Sequence, residues 1–249
     1  MTTPTLIIYS ITLFLFGCLN NTDDTSTIPD GVAITVNHDV WDGLLKTYVD
    51  TNGNVDYSNF KKDSHILNEY LNHLAKNPIS KTAEKEERLA YYINLYNAGT
   101  VQLILENYPL NSIRSIFRPW GKDRVFIGNK KYSLGYIEHD ILRKMNEPRI
   151  HFTINCASYS CPKLLNEAFL PSKIQEQLQE ATIDFVNDIS RNKISSHAVE
   201  LSKIFKWYKQ DFTKNNSLLD YLNNYSKIRI SDDSKINFLN YDWDLNERR

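Results

Sequence analysis

The 249-residue chain predicts an α+β fold: a single mixed domain in which a central buried helix packs against a small, largely antiparallel sheet, after an N-terminal signal or lipoprotein segment. Three observations lead there. Glu84 to Asn107 is one long helical run, apolar nearly all round once its charged first turn is passed, as in a helix buried on every side. The strand-like runs are short and few, and the helices between them are too scattered for a doubly wound sheet. Finally, 41% hydrophobic, 12% aromatic and 24% charged residues lie within the globular range, with side chains large enough to build a core. No internal repeat or second nucleus behind a linker divides the chain, so one domain over residues 40–249 is expected.

The first residues stand outside that domain. Leu6 to Gly17 (LIIYSITLFLFG) is shorter than the ~20 apolar residues of a membrane-spanning helix and has the size of a signal-peptide core. It runs into Leu15-Phe16-Gly17-Cys18, similar to the box of a bacterial lipoprotein, which is cut before its cysteine and lipidated on it, although no Lys or Arg precedes the run. Residues 1–17 are therefore expected to be a signal peptide, Cys18 the lipidation site, and 18–39 a flexible polar tether. This predicts a lipid-anchored protein of the bacterial cell envelope, with the membrane as one partner. The formal net charge of −1 gives no bulk basicity for nucleic acid, and none is expected as a partner.

Within the domain, Val40 to Tyr48 carries a helical apolar stripe, and the Asx-rich Asp50 to Asp56 breaks it. That run lacks the glycine and glutamate positions of a calcium loop and reads as a turn. Ile66 to Leu74 predicts a second helix, and Pro109 marks the end of the long one. Arg124–Ile127 and Lys130–Leu134 flank Gly128-Asn129, a two-residue hairpin signal, and Ser133 is placed to cap a helix running to Met145. Arg149 to Asn155 (RIHFTIN) alternates apolar and polar residues with the period of a half-buried strand. Pro162 suits the start of a short helix, and a longer one is expected over 172–190. Strands are expected at Val199–Leu201, Lys227–Ile230 and Phe238–Trp243, with short helices at Lys203–Gln210 and Leu218–Tyr225.

Chemistry concentrates at His151 to Pro162 (HFTINCASYSCP). A strand that enters a tight turn and then a helix holds side chains at a rigid edge with amide N–H groups nearby, which lowers a thiol's pKa and can cradle an oxyanion. Cys156 is then a candidate nucleophile, with Cys161, Ser158 and Ser160 as supporting residues of the turn. A cysteine nucleophile needs a base. His151 lies five residues away, on the opposite face of an unbroken strand, whereas His139 shares a polar helical stripe with Arg143 and is the freer candidate. Asn94, Asn97 or Glu138 would orient the imidazole, although the two asparagines inside an apolar helix equally suit pinning a loop. Cys156 and Cys161 also suit a disulfide in an oxidising compartment, and with His139 and His151 they offer four zinc-ligand types at an unrecognised spacing. No metal or cofactor is expected.

The sequence resembles the domain-of-unknown-function 547 family. The likeness rests on Tyr92–Ala98 (YINLYNA), Ile137–Arg143 (IEHDILR), His151–Pro162, Ile204–Tyr208 (IFKWY) and Tyr241–Asn246 (YDWDLN), together spanning nearly the whole domain. It implies a bacterial secreted or lipoprotein form of a domain also found in plant proteins, and it implies no reaction. In the plant relatives the position of Cys161 looks like Ser while that of Cys156 stays Cys, which implies that the fold requires no disulfide there.

Two functions follow as expectations. The first is a thiol-dependent hydrolase or acyltransferase acting on peptide, amide or ester substrates, through Cys156, His139 or His151, and Asn97 or Asn94. The second is a non-catalytic surface module with a structural Cys156–Cys161 disulfide, using aromatics such as Trp120, Trp207, Tyr208 and Trp243 to bind a small molecule, peptide or glycan. Redox or metal chemistry through the two thiols is a weaker third, because their C-x4-C spacing is not a known redox motif.

Overall fold

A computed structural model describes residues 36–248. The expected signal peptide, the lipidation site Cys18 and nearly all of the tether lie outside the described residues. Helix α1 (Asp39–Tyr48) opens the fold, and the Asx-rich segment turns the chain: Asp50 Oδ1 accepts from the N–H groups of Asn52 and Asn54. Helices α2 (Ser64–Lys76) and α3 (Lys85–Asn107) follow. As the composition of α3 predicts, Leu89 to Leu105 is buried nearly all round, and this helix forms the axis of the larger core. The hairpin β1 (Asp123–Ile127) and β2 (Lys130–Ser133) turns at Gly128, whose φ of 60° suits glycine, and packs across α2 and α3. Its approach to α3 is close enough that a Cβ on Gly99 would sit 2.6 Å from Val125.

Ser133 caps the next helix by accepting from Tyr136 N–H. This helix, α4, begins over Leu134–Tyr136, widens to a π-helix over Ile137–Leu142 and tightens to a 3-10 turn over Arg143–Met145. A regular helix was expected. In the widened turn Glu138 is buried beside Ile137, Ile141 and Leu142, and π-helical turns of this kind occur often at functional sites.

The chain beyond α4 corrects two further expectations. Arg149 to Asn155 is no strand: Pro148–Phe152 is a 3-10 helix, started by Pro148 and by Glu147 accepting from Arg149 N–H. Its alternating apolar residues serve two cores rather than one sheet face. Ile150 and Ile154 enter the core around α3, whereas Phe152 joins a second core with Phe185, Phe205 and Phe212. No helix starts at Pro162, so the cysteine turn lacks the helix N-terminus expected there. The next helix is α5 (Ile174–Asn187).

Around the second core lie β3 (Lys193–Ile194), β4 (Ala198–Leu201), α6 (Lys203–Trp207), α7 (Lys209–Phe212), α8 (Leu218–Asn223) and β5 (Lys235–Phe238). Their sheet has the order β3-β4-β5, antiparallel then parallel. The strand expected at Lys227–Ile230 is absent because side-chain amides take its backbone groups. Lys227 N–H donates to Asn187, and Ile230 exchanges two hydrogen bonds with Asn223. The last strand falls earlier than expected, and Tyr241–Asn246 instead runs back along the cysteine turn.

Candidate functional site

The cysteine turn is held from three sides. From within, Asn155 accepts from Ala157 N–H and donates to the carbonyl of Pro162, bridging the turn at its base. From α3, Asn97 accepts from Asn155 N–H and donates to Thr153 O, both at 2.9 Å. From the C-terminal segment, the carbonyls of Asp244 and Asp242 accept from Tyr159 and Ser160 N–H, and Ser160 Oγ accepts from Asp242 N–H. Ala157 carries a φ of 58°, a left-handed conformation that costs a non-glycine residue energy and here turns the chain sharply just after Cys156.

The two cysteines are separate thiols. Cys161 Sγ accepts from Cys156 N–H at 2.9 Å, and burial holds its thiol well above the ordinary range. Cys156 Sγ lies 3.0 Å from Ser158 Oγ and 3.4 Å from Tyr241 Oη, and Ser158 N–H also points to it. Cys161 and these donors outweigh burial and pull the Cys156 thiol down to about 7. Donors around a sulfur favour its thiolate just as a helix terminus would. The expected oxyanion role of the turn amides is not available, because every N–H from Cys156 to Cys161 already has a partner.

Cys156 opens onto a cleft of about 370 Å³ whose lining also includes Cys161, Glu138, His139 and His151. The expected residues therefore meet in one place, with exceptions. Asn94 and Asn97 lie outside the lining: Asn94 clamps the backbone of Phe169, and Asn97 clamps the turn as described. Ser158 reaches the sulfur, whereas Ser160 is spent on Asp242. Arg143 binds Asp211 at 2.7 and 3.0 Å and brings a third N–H to 3.3 Å from His139 Nδ1. Among the described residues no group of three His, Cys, Asp or Glu side chains is arranged to hold a metal ion.

The two histidines differ sharply. His139 is half exposed, and its Nδ1 faces Arg143. His151 is buried, and its ring stacks on Tyr208 with centroids 4.0 Å apart. Its Nε2 lies 2.7 Å from Asp211 Oδ2, which makes Nε2 the protonated nitrogen and leaves the lone pair on Nδ1. That Nδ1 is buried without a partner. Burial lowers the imidazole's pKa, so the ring is neutral at pH 7, while His151 and Arg143 together hold the Asp211 carboxyl far below its ordinary range. Neither imidazole hydrogen-bonds Cys156, whose sulfur is occupied by the two hydroxyls. Strand parity, which separated His151 from Cys156, does not apply to a 3-10 helix.

Sequence reasoning missed Asp211, Tyr96 and Tyr241. Asp211 stands three residues after Tyr208 on the same short helical stretch, a spacing that puts both on one face, but it is 60 residues from His151. Glu138 accepts from Tyr208 at 2.5 Å and from Tyr96 at 3.3 Å. Trp207, Trp243 and Tyr241 form the outer wall, with ring centroids 4.5–5.8 Å apart, and Trp120 packs on Trp243.

Residues 80–186 match the model of a family described as "Protein of unknown function, DUF547". The matched residues supply Cys156, Cys161, Glu138, His139 and His151, whereas Tyr208, Asp211 and the aromatic wall from Trp207, Tyr241 and Trp243 lie beyond them. No curated protein and no solved structure matches the chain.

Proposed function

We propose that this chain is a thiol-dependent hydrolase or acyltransferase, with Cys156 as nucleophile, His151 as base and Asp211 as the group that orients the imidazole. One observation carries the reading: a cysteine whose thiol is pulled down to about 7 shares a cleft with a neutral imidazole whose tautomer is fixed by a carboxylate and whose other nitrogen is unpartnered. This is the division of labour that nucleophilic catalysis by cysteine requires. The sulfur attacks an ester or amide carbonyl as Nδ1 of His151 takes the thiol proton. The carbon–heteroatom bond then breaks, the leaving alcohol or amine takes that proton, and a thioester remains on Cys156. Water or an amine releases the acyl group, again losing its proton to Nδ1. The Tyr241 and Ser158 hydroxyls, beside the sulfur, supply donors for the oxyanion in place of the occupied turn amides.

The leader and Cys18 support a lipid-anchored location in the bacterial cell envelope, where peptide and cell-wall material is the accessible substrate class. Hydrolysis of a p-nitrophenyl ester, with mass spectrometry of the acylated Cys156 peptide, tests the chemistry. Cys156→Ala should abolish both turnover and adduct, and His151→Gln should slow turnover about 10²-fold or more, beyond any loss in His139→Gln. Turnover by Cys156→Ala at the wild-type rate would remove the proposal and leave a binding module.

A further inference from the structure

We infer that the cleft recognises a primary ammonium group, held by Glu138 at its floor and by the aromatic wall above it. The inference rests on the preceding proposal only in treating the cleft as the substrate site. Glu138 is 5% exposed, yet among the described residues its one ionic neighbour within 4 Å is His139, at 3.9 Å. The groups that hold it are two neutral hydroxyls, Tyr208 and Tyr96, both kept protonated by burial and by the carboxylate itself. Buried carboxylates are ordinarily paired with a cation, because neutral donors alone compensate poorly for lost water.

The stereochemistry narrows the ligand. An ionised carboxylate offers about four lone-pair sites, and the tyrosines take two. A primary ammonium has three N–H donors: two suit the remaining lone pairs, and the third faces the rings. Trp207, Trp243 and Tyr241 stand together on the same lining, and Trp207 keeps 46% of its surface exposed although it is a large aromatic. Aromatic faces attract a cation through their quadrupole and accept an apolar stem beside it. A quaternary amine would leave the carboxylate's lone pairs unmet, and a carboxylate ligand would be repelled. The substrate class is therefore a chain bearing a primary amine on an apolar stem, such as a lysine or diamino-acid side chain or an amino terminus.

Tryptophan fluorescence of the Cys156→Ala chain, titrated with pentylamine, 1-pentanol and pentanoate, tests this without any turnover. Pentylamine should bind at least tenfold more tightly than pentanol, with pentanoate weakest, and Glu138→Gln should bring the amine to the level of the alcohol. Equal binding of amine and alcohol, or preference for pentanoate, would overturn the inference, as would an undiminished amine preference in folded Glu138→Gln. The ligand ranking on the chain with Glu138 intact decides the matter even if that variant does not fold. Because Cys156 is already absent, failure here is distinct from failure of the thiol mechanism.

Discussion

Asn97→Ala offers the sharpest test of how the fold holds its cysteine turn. The Asn97 side chain is 2% exposed and makes two hydrogen bonds of 2.9 Å to backbone, accepting from Asn155 N–H and donating to Thr153 O. Both partners are buried, at 3% and 1% exposure, so water cannot replace the lost amide. Leaving a buried donor or acceptor unsatisfied costs about 1–3 kcal/mol, so two such groups cost about 2–6 kcal/mol. Near the middle of that range, at about 4 kcal/mol, a domain of this size should lose roughly 8–16 °C in Tm. Asn94→Ala is the matched control: it orphans the N–H and C=O of Phe169 in the same way, on the same helix, away from the cysteines. Urea unfolding should report similar losses for both variants with an unchanged m-value, whereas only Asn97→Ala should alter the pH profile of Cys156 alkylation. A loss below about 1 kcal/mol in Asn97→Ala, or equal effects of both variants on Cys156, would refute the claim that this amide sets the turn.

Further outcomes follow from the ionisable groups of the site. Carbamidomethylation of Cys156 by iodoacetamide should follow a titration centred near pH 7 rather than the ordinary 9.0, and Ser158→Ala should move the midpoint upward by removing one donor. Cys161, buried and raised, should stay unmodified over the same range, and peptide mass spectrometry separates the two. Asp211→Asn should slow ester turnover by about 10²–10⁴-fold, because a neutral amide no longer fixes the proton on Nε2 of His151. The same variant should flatten the acid limb of the stability curve. The Asp211 carboxyl is held below its ordinary 3.8, so its pairing stabilises the fold above that pH and is lost as the pH falls further. An unchanged acid limb would contradict that pairing.

What could be read ahead of the structure was local. The all-apolar stretch of α3, the Gly128-Asn129 hairpin and the Ser133 cap each depend on residues within a few positions of one another, and each formed as expected. The RIHFTIN segment misled because alternation records burial, not its partner. Ile150, Phe152 and Ile154 are all buried, but in two different cores, and a 3-10 turn distributes them as a strand could not. The gathering of Cys156, His139, His151 and Glu138 was legible because all four come from one stretch of under twenty residues. Asp211 and Tyr241 were not: they reach His151 and Cys156 from 60 and 85 residues away, and although Tyr241 opens the YDWDLN stretch, neither carries a local pattern that points to the cysteine turn.

The position of the cleft follows from that same division of the core. Cys156 and Glu138 are carried by segments packed around α3, whereas Tyr208 and Asp211 arrive on α6–α7 and the residue joining them, over the phenylalanine cluster. His151 sits between Ile150, committed to the first core, and Phe152, committed to the second. Its ring is therefore fixed by contacts from both sides: Tyr208 stacks on its face, Phe212 meets its edge at 5.4 Å, and Asp211 accepts from its Nε2–H. Of the sulfur's own donors, Ser158 belongs to the turn, whereas Tyr241 packs against the phenylalanine cluster. The imidazole's placement thus depends on that cluster, and the thiol's ionisation depends on it in part, through Tyr241. Loosening the phenylalanine cluster should cost the cysteine its positioned base and the Tyr241 donor, while Cys161 and Ser158 still lower its thiol.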